Sequence, residues 1–375
     1  MSSVYIVAGE VSGDTHGAWL MRALESQIDR VKFYGAGGPQ MAQLECSETQ
    51  DWVEDAAVMG IWEVLKHYSY FKDKFYQMLA EIKRVQPDVL VLIDYPGFNL
   101  RLANKVREQV PGIKIVYYIS PQVWAWNKKR IPKMAEVLDL MLCIFPFEKE
   151  IFEKAGLKTV FTGHPLVDEL EEKREDCQRA DNLVALLPGS REREVARLFP
   201  LMVEAARRMH AAKPGLKFES AAASEKLRVK MQQVIEEAKL PHEMQVELKL
   251  GGSHSLMQRA SCGVIASGTA TLEAAALGMP YCLVYKIAWP TYLMAKVLVK
   301  IEFIGLANIL AGKAVVKEFI QCEADPCNVA TELGLMMAQP KYRNEVQENL
   351  LLAASKLGEY GAHDRAASEI AKLLV

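Results

Sequence analysis

Gly189-Ser190-Arg191-Glu192 follows the apolar run Leu183–Leu187 and opens the amphipathic stretch Arg193–His210. Ser267-Gly268-Thr269-Ala270-Thr271-Leu272-Glu273 follows Cys262–Ala266 and opens Ala274–Leu277. A glycine-bearing turn from strand to helix bares backbone N–H groups at the positive end of the helix, where phosphate binds well. Arg191 adds a planar cation that can fork onto phosphate oxygens. Glu273 comes about one helical turn after its loop, in reach of a ribose or sugar hydroxyl. Together the two segments predict a nucleotide-diphosphate site in the second half of the chain. Each alone also fits an ordinary strand-to-helix turn, with Ser190 as a helix cap.

The first half carries a second set of polar loops. Gly9-Glu10-Val11-Ser12-Gly13-Asp14-Thr15-His16 lies between a strand and a helix. It does not follow the G-x-G-x-x-G dinucleotide pattern. Capping by Asp14 or Thr15 explains one of its residues and leaves Glu10 and His16 for chemistry. Asp94-Tyr95-Pro96-Gly97-Phe98-Asn99 ends the most apolar run of the chain. A carboxylate there is a general base if partly desolvated, or a turn-former before Pro-Gly. In Ser120-Pro121-Gln122-Val123-Trp124-Ala125-Trp126-Asn127-Lys128-Lys129-Arg130, two tryptophans beside a basic triplet suit a sugar or phosphate platform, or a surface loop with one packed tryptophan. His164, in Thr162-Gly163-His164-Pro165, reads as structural. No His, Cys or Asp cluster has metal-ligand spacing, so no protein-bound metal is expected.

These loops need elements to hold them. Apolar runs at Val4–Ala8, Val31–Tyr34, Val89–Ile93, Ile113–Ile119, Leu138–Ile144 and Thr159–Phe161 alternate with amphipathic stretches. That pattern predicts a parallel sheet covered on both faces. The polar stretch Glu169–Asp181 reads as a helix end and linker. The alternation restarts with Leu183–Leu187, Leu216–Ser220, Met244–Leu248, Cys262–Ala266 and Tyr281–Tyr285. The fold class expected is α/β, with two Rossmann-like, doubly wound domains facing a cleft. The boundaries are 1–168, a linker at 169–182, a second domain at 183–342, and helices at 343–375 that pack back across the domains.

A net charge of −2 gives no basic signature for nucleic acid. Cysteines 46, 143, 177, 262, 282, 322 and 327 are odd in number and form no C-x-x-C pair, which points to reduced thiols in a cytoplasmic protein. No signal peptide or spanning segment is expected. In Val58–Phe75, Ile61, Trp62, Val64, Leu65, Tyr68 and Phe71 share a broad apolar face flanked by Lys66, His67, Lys72 and Lys74. That is a core helix or an interfacial helix that meets lipid. Ile287–Leu310 admits the same two readings.

With these motifs in hand, the chain closely resembles the lipid-A-disaccharide synthase family, inverting glycosyltransferases of the two-Rossmann-domain (GT-B) architecture. The resemblance rests on Gly9–Asp14, Asp94–Asn99, Ser120–Trp126, Thr162–Pro165, Leu187–Arg191 and Ser267–Glu273, in family order across nearly the whole chain. One departure is Tyr95-Pro96-Gly97, where the family often has an acidic residue before the Phe. The resemblance implies a UDP-2,3-diacylglucosamine donor, a 2,3-diacylglucosamine 1-phosphate acceptor, and a β(1→6)-linked disaccharide 1-phosphate product, with no cofactor. It implies catalysis by Asp94 with Glu10, Asp14 and His16. Donor contacts would come from Gly189, Ser190, Arg191, Ser267, Gly268, Thr269, Glu273 and Asn308. Acceptor or phosphate contacts would come from Ser12, Gln122, Trp124 and Arg130. Ile61, Trp62, Val64, Leu65 and Tyr68 are the expected peripheral contact with the cytoplasmic face of the inner membrane, and a homodimer is compatible. A different UDP-sugar glycosyltransferase or epimerase, or a non-enzymatic nucleotide-sugar or lipid binder, is the alternative.

Overall fold

The structure, a computed structural model, describes residues 2–53, 68–289, 292 and 302–374. Ile61, Trp62, Val64 and Leu65, and residues 290, 291 and 293–301 of the stretch Ile287–Leu310, lie outside them; Tyr68 begins the helix Tyr68–Val85. The chain forms two compact units. One is Met1–Asp168 with Leu357–Val375, the other Glu169–Lys356.

The first unit holds a seven-stranded sheet: β1 (Ser2–Ala8), β2 (Val31–Gly37), β3 (Ser47–Asp51), β4 (Val89–Ile93), β5 (Lys114–Tyr118), β6 (Leu140–Cys143) and β7 (Thr159–Phe161). Their order is β3-β2-β1-β4-β5-β6-β7, and neighbouring strands pair in parallel. Parallel pairs need long crossovers, and the amphipathic stretches supply them as helices. Val4–Ala8 and Val89–Ile93 are fully buried, as an interior strand covered on both faces must be. Each such aliphatic side chain adds roughly 1.5–3 kcal/mol of burial.

The second unit repeats the plan with six strands: β8 (Ala180–Leu187), β9 (Lys217–Ala222), β10 (Val246–Leu250), β11 (Ala260–Ala266), β12 (Tyr281–Tyr285) and β13 (Glu318–Ile320). The order is β10-β9-β8-β11-β12-β13, again parallel. In each sheet the strand order reverses once, between β1 and β4 and between β8 and β11. Open α/β sheets bind ligands outside the carboxyl ends of the strands at such a point.

The end of the chain returns to the first unit. The helix Ala362–Ala371 packs on Val11–Gln27. The Asp168 carboxylate caps it by accepting the N–H groups of Gly361 at 2.7 Å and Ala362 at 3.0 Å. Arg365 donates to the carbonyls of Thr162, Tyr360 and Glu359. Among the described residues no helix is long and apolar enough to cross a membrane.

Candidate functional site

In the second unit, the loops after β8 and β11 stand on either side of the point where the strand order reverses. Gly189 has φ +97°, where a side chain is strained, and a Cβ there would meet the Glu194 carboxylate at 2.5 Å. Arg191 is the N-cap of the helix Glu192–Ala212 and gives it no side-chain cap. Its guanidinium is 81% exposed and pairs with Glu194 at 2.9 Å, so it remains accessible to a ligand. The second loop is tied down by Thr271, whose hydroxyl donates to the Gly268 carbonyl at 2.7 Å. Leu187, Gly189, Ser190, Arg191, Ser267, Gly268, Thr269 and Glu273 all line one cavity of about 320 Å³. That volume falls in the roughly 300–1,000 Å³ span of small-ligand pockets.

Asn308 does not line this cavity. It is fully buried, its Oδ1 accepts the N–H groups of Val315 and Val316, and its Nδ2 donates to the Val316 carbonyl and to Glu318. The expectation of a donor contact is corrected, because the amide has no polar group left to offer a nucleotide.

In the first unit, the loops after β1 and β4 stand at the other reversal. Asp94 and Tyr95 both have positive φ, 43° and 49°. Backbone in this region costs on the order of 1–3 kcal/mol and persists only where the surroundings hold it. Here the Asp94 N–H donates to the Tyr118 carbonyl, and its own carbonyl accepts from the Asn99 amide and the Tyr117 hydroxyl. Burial, and then the charge of Glu10, push the Asp94 carboxyl up to about 6. Glu10 is exposed at the N-cap of Val11–Gln27. Gly9 lets the two loops approach, since a Cβ there would lie 2.4 Å from the Tyr95 ring.

One expected catalytic residue, Asp14, has another occupation. Asp14 is buried, and its carboxylate accepts three main-chain N–H groups, from Gly38, Gln40 and Met41, at 2.8–3.0 Å. It caps the short helix Pro39–Ala42. His16 lies against His363, with ring centroids 5.6 Å apart. Burial and then His363 lower its pKa to about 3.

Of the two tryptophans expected to form a platform, Trp124 is packed away and the Trp126 side chain lies outside the described residues. Trp124 is 7% exposed, and its indole donates to the buried Glu148 carboxylate at 2.9 Å. Glu148 also accepts from the Ser120 hydroxyl and the Phe145 N–H. The motif thus anchors its own loop. Ser12 and Gln122 are exposed and Arg130 is half-buried. His164 is structural: its Nδ1 accepts the Leu166 N–H, and burial lowers its pKa to about 4. The sequence reading missed Glu148, which sits three residues after a helix start as a capping box would place it. Among the described residues no three His, Cys, Asp or Glu side chains are grouped to hold a metal ion.

The family model for lipid-A-disaccharide synthetase matches residues 4–370. A lipid-A-disaccharide synthase of Trichlorobacter lovleyi is 39% identical over 379 residues, covering 99% of this chain and 97% of the relative. The chain belongs to the lipid-A-disaccharide synthase family. A second synthase, from Azotobacter vinelandii, is 40% identical over 339 residues, 88% of each chain. Among solved structures, the S. aureus MnaA–UDP co-structure aligns with a TM-score of 0.67 at 13% identity, over 99% of this chain and 96% of that one. Acinetobacter baumannii MurG aligns at 0.60 and 15%, over 99% and 100%. At such identities the likeness speaks for the fold, two Rossmann-like units. In this lipid-A-disaccharide synthase family member the motif residues divide by occupation. Asp14 and Asn99 bond main-chain groups and Ser120 and Trp124 hold Glu148, whereas Glu10, Asp94, Ser190, Arg191 and Glu273 present polar groups at the two strand-order reversals.

Proposed function

We propose that the first unit binds the acceptor and supplies the base, and that the cavity of the second unit binds the UDP-sugar donor. The activity follows from family membership: the enzyme is a glycosyltransferase that joins a UDP-diacylglucosamine donor to a diacylglucosamine 1-phosphate acceptor, making the lipid A disaccharide. The acceptor's 6-hydroxyl attacks the anomeric carbon of the donor, its proton passes to Asp94, and UDP leaves from the opposite face. A carboxyl held near 6 is ionised at neutral pH yet still basic enough for the transfer. Charge growing on the departing diphosphate is met by the N-terminus of Glu192–Ala212 and by Arg191. Glu273 accepts from the ribose.

The observation that carries this reading is the meeting of Ser190, Arg191 and Glu273, from two distant loops, on one cavity wall. The test is a mass-spectrometric assay with both acylated sugars. Formation of the disaccharide 1-phosphate and UDP is expected. Equal turnover of a UDP-sugar without acyl chains would favour a glycosyltransferase or epimerase that ignores them.

Both substrates reside in a bilayer, so we place the membrane contact on Val58–Phe75, whose Lys66, Lys72 and Lys74 each add about 1 kcal/mol against an anionic leaflet. Replacing Ile61, Val64 and Leu65 together by serine should release the protein from anionic vesicles with its melting temperature kept. Normal vesicle binding by a stable triple variant rules this segment out as the main anchor.

A further inference from the structure

His254 Nε2 lies 3.0 Å from Glu273 Oε2, and the two side chains are 23% and 18% exposed. His254 is in the first turn of the helix Ser253–Arg259, entered through Gly251 and Gly252, both at positive φ. That helix is itself fixed. Gln258 is buried, accepts the Glu175 N–H at 2.8 Å and donates to the Lys173 carbonyl at 3.1 Å. Glu273 Oε1 has no hydrogen-bond partner among the described residues. A carboxylate on this wall repels a diphosphate, and suits the one part of a nucleotide that is uncharged and rich in O–H donors, the ribose diol.

We infer that His254 is a positioning residue: with its proton on Nε2 it holds one oxygen of Glu273 and leaves the other aimed at the ribose hydroxyls of the donor. This rests on the reading of the cavity as the donor site. An unanchored glutamate must give up its rotamer freedom when nucleotide binds, whereas an anchored one is already in place.

The test compares UDP with 2′,3′-dideoxy-UDP by calorimetry on the full-length protein. His254→Ala should weaken UDP about tenfold and leave dideoxy-UDP unchanged. His254→Gln, whose amide can still donate, should recover most of the loss. The double variant His254→Ala/Glu273→Gln should bind UDP no more weakly than Glu273→Gln alone. His254→Phe keeps the ring volume and takes the place of the alanine variant if that one fails to fold. Equal losses for the two nucleotides, or additive losses in the double variant, would show a merely structural histidine and overturn the inference. Unchanged UDP affinity in His254→Ala, with losses in Glu273→Gln and Arg191→Ala, overturns it and leaves the donor site standing. Unchanged affinity in those last two variants removes the donor site and the inference with it.

Discussion

The Asn99 side-chain amide donates to the main-chain carbonyl of Asp94 at 2.8 Å, so the backbone that presents the carboxyl is clamped from behind. The same nitrogen donates to the Ile93 carbonyl at 3.1 Å, and Asn99 is fully buried. Asn99→Ala should cost about 1–3 kcal/mol of stability through the loss of both amide hydrogen bonds, although the Asp94 carbonyl keeps the Tyr117 hydroxyl. It should also lower kcat, because Asp94 and Tyr95 can then leave their left-handed conformation. Urea denaturation beside steady-state kinetics checks both; unchanged kcat in a destabilised variant would separate the clamp from catalysis.

With Asp94 as the proposed base, its ionisation should set the acid side of the rate profile. Its carboxyl is raised to about 6 by burial and by Glu10, and a base works only when ionised. Turnover should therefore rise with pH through about 6 and level off above it. Asp94→Asn should lose about 10²–10⁴ in rate and the dependence with it. If the variant keeps a limb at the same pH, another group is titrating.

Arg191, proposed to bind the diphosphate, contributes little to the fold. Its guanidinium is mostly exposed and its partner Glu194 is close in sequence, so Arg191→Ala should leave the melting temperature nearly unchanged. UDP should bind more weakly by about 1.5–3 kcal/mol, the worth of a charge-assisted contact. Unaltered UDP affinity by calorimetry would move the diphosphate elsewhere.

Glu148 should make stability depend on pH. Burial raises its carboxyl to about 7 against the hydrogen bonds from Ser120 and Trp124, which pull it down. For a carboxyl raised on folding, the stabilising contribution is whole below the unfolded value of about 4.5 and is lost as pH rises through 7. Glu148→Gln removes that slope, which is on the order of 3 kcal/mol across the window. Urea melts of both proteins at pH 5 and pH 8 measure it; parallel pH slopes would place the titration outside Glu148.

Much of the architecture was legible in the chain. Val89–Ile93, Thr159–Phe161 and Tyr281–Tyr285 form strands with the bounds that their apolar runs predict. Ser47–Asp51 was not legible: it is a polar edge strand that pairs only with β2, and main-chain pairing leaves no apolar signature. Glu318–Ile320 is the corresponding short edge of the second sheet. The loops of the candidate site were legible because each is contiguous. The occupations of Asp14, Trp124 and Asn308 were not, since their partners come from other segments: Gly38–Met41, Glu148, and Val315 with Glu318. His254 meets Glu273 only once two separate loops reach the same cavity.

The first unit is closed by a segment that follows the whole second unit in sequence, and that bears on how the protein is made. A ribosome delivers β1 and Asp94 early, but the helix that covers Val11–Gln27, with Gly361 and Arg365, only after every strand of both sheets. The sheet of the second unit is complete before Leu357 is added, so that unit can settle first, against the usual amino-to-carboxyl sequence of domain folding. A message cut short after Lys356 would encode every strand of both sheets and still leave the half that carries Asp94 unfinished.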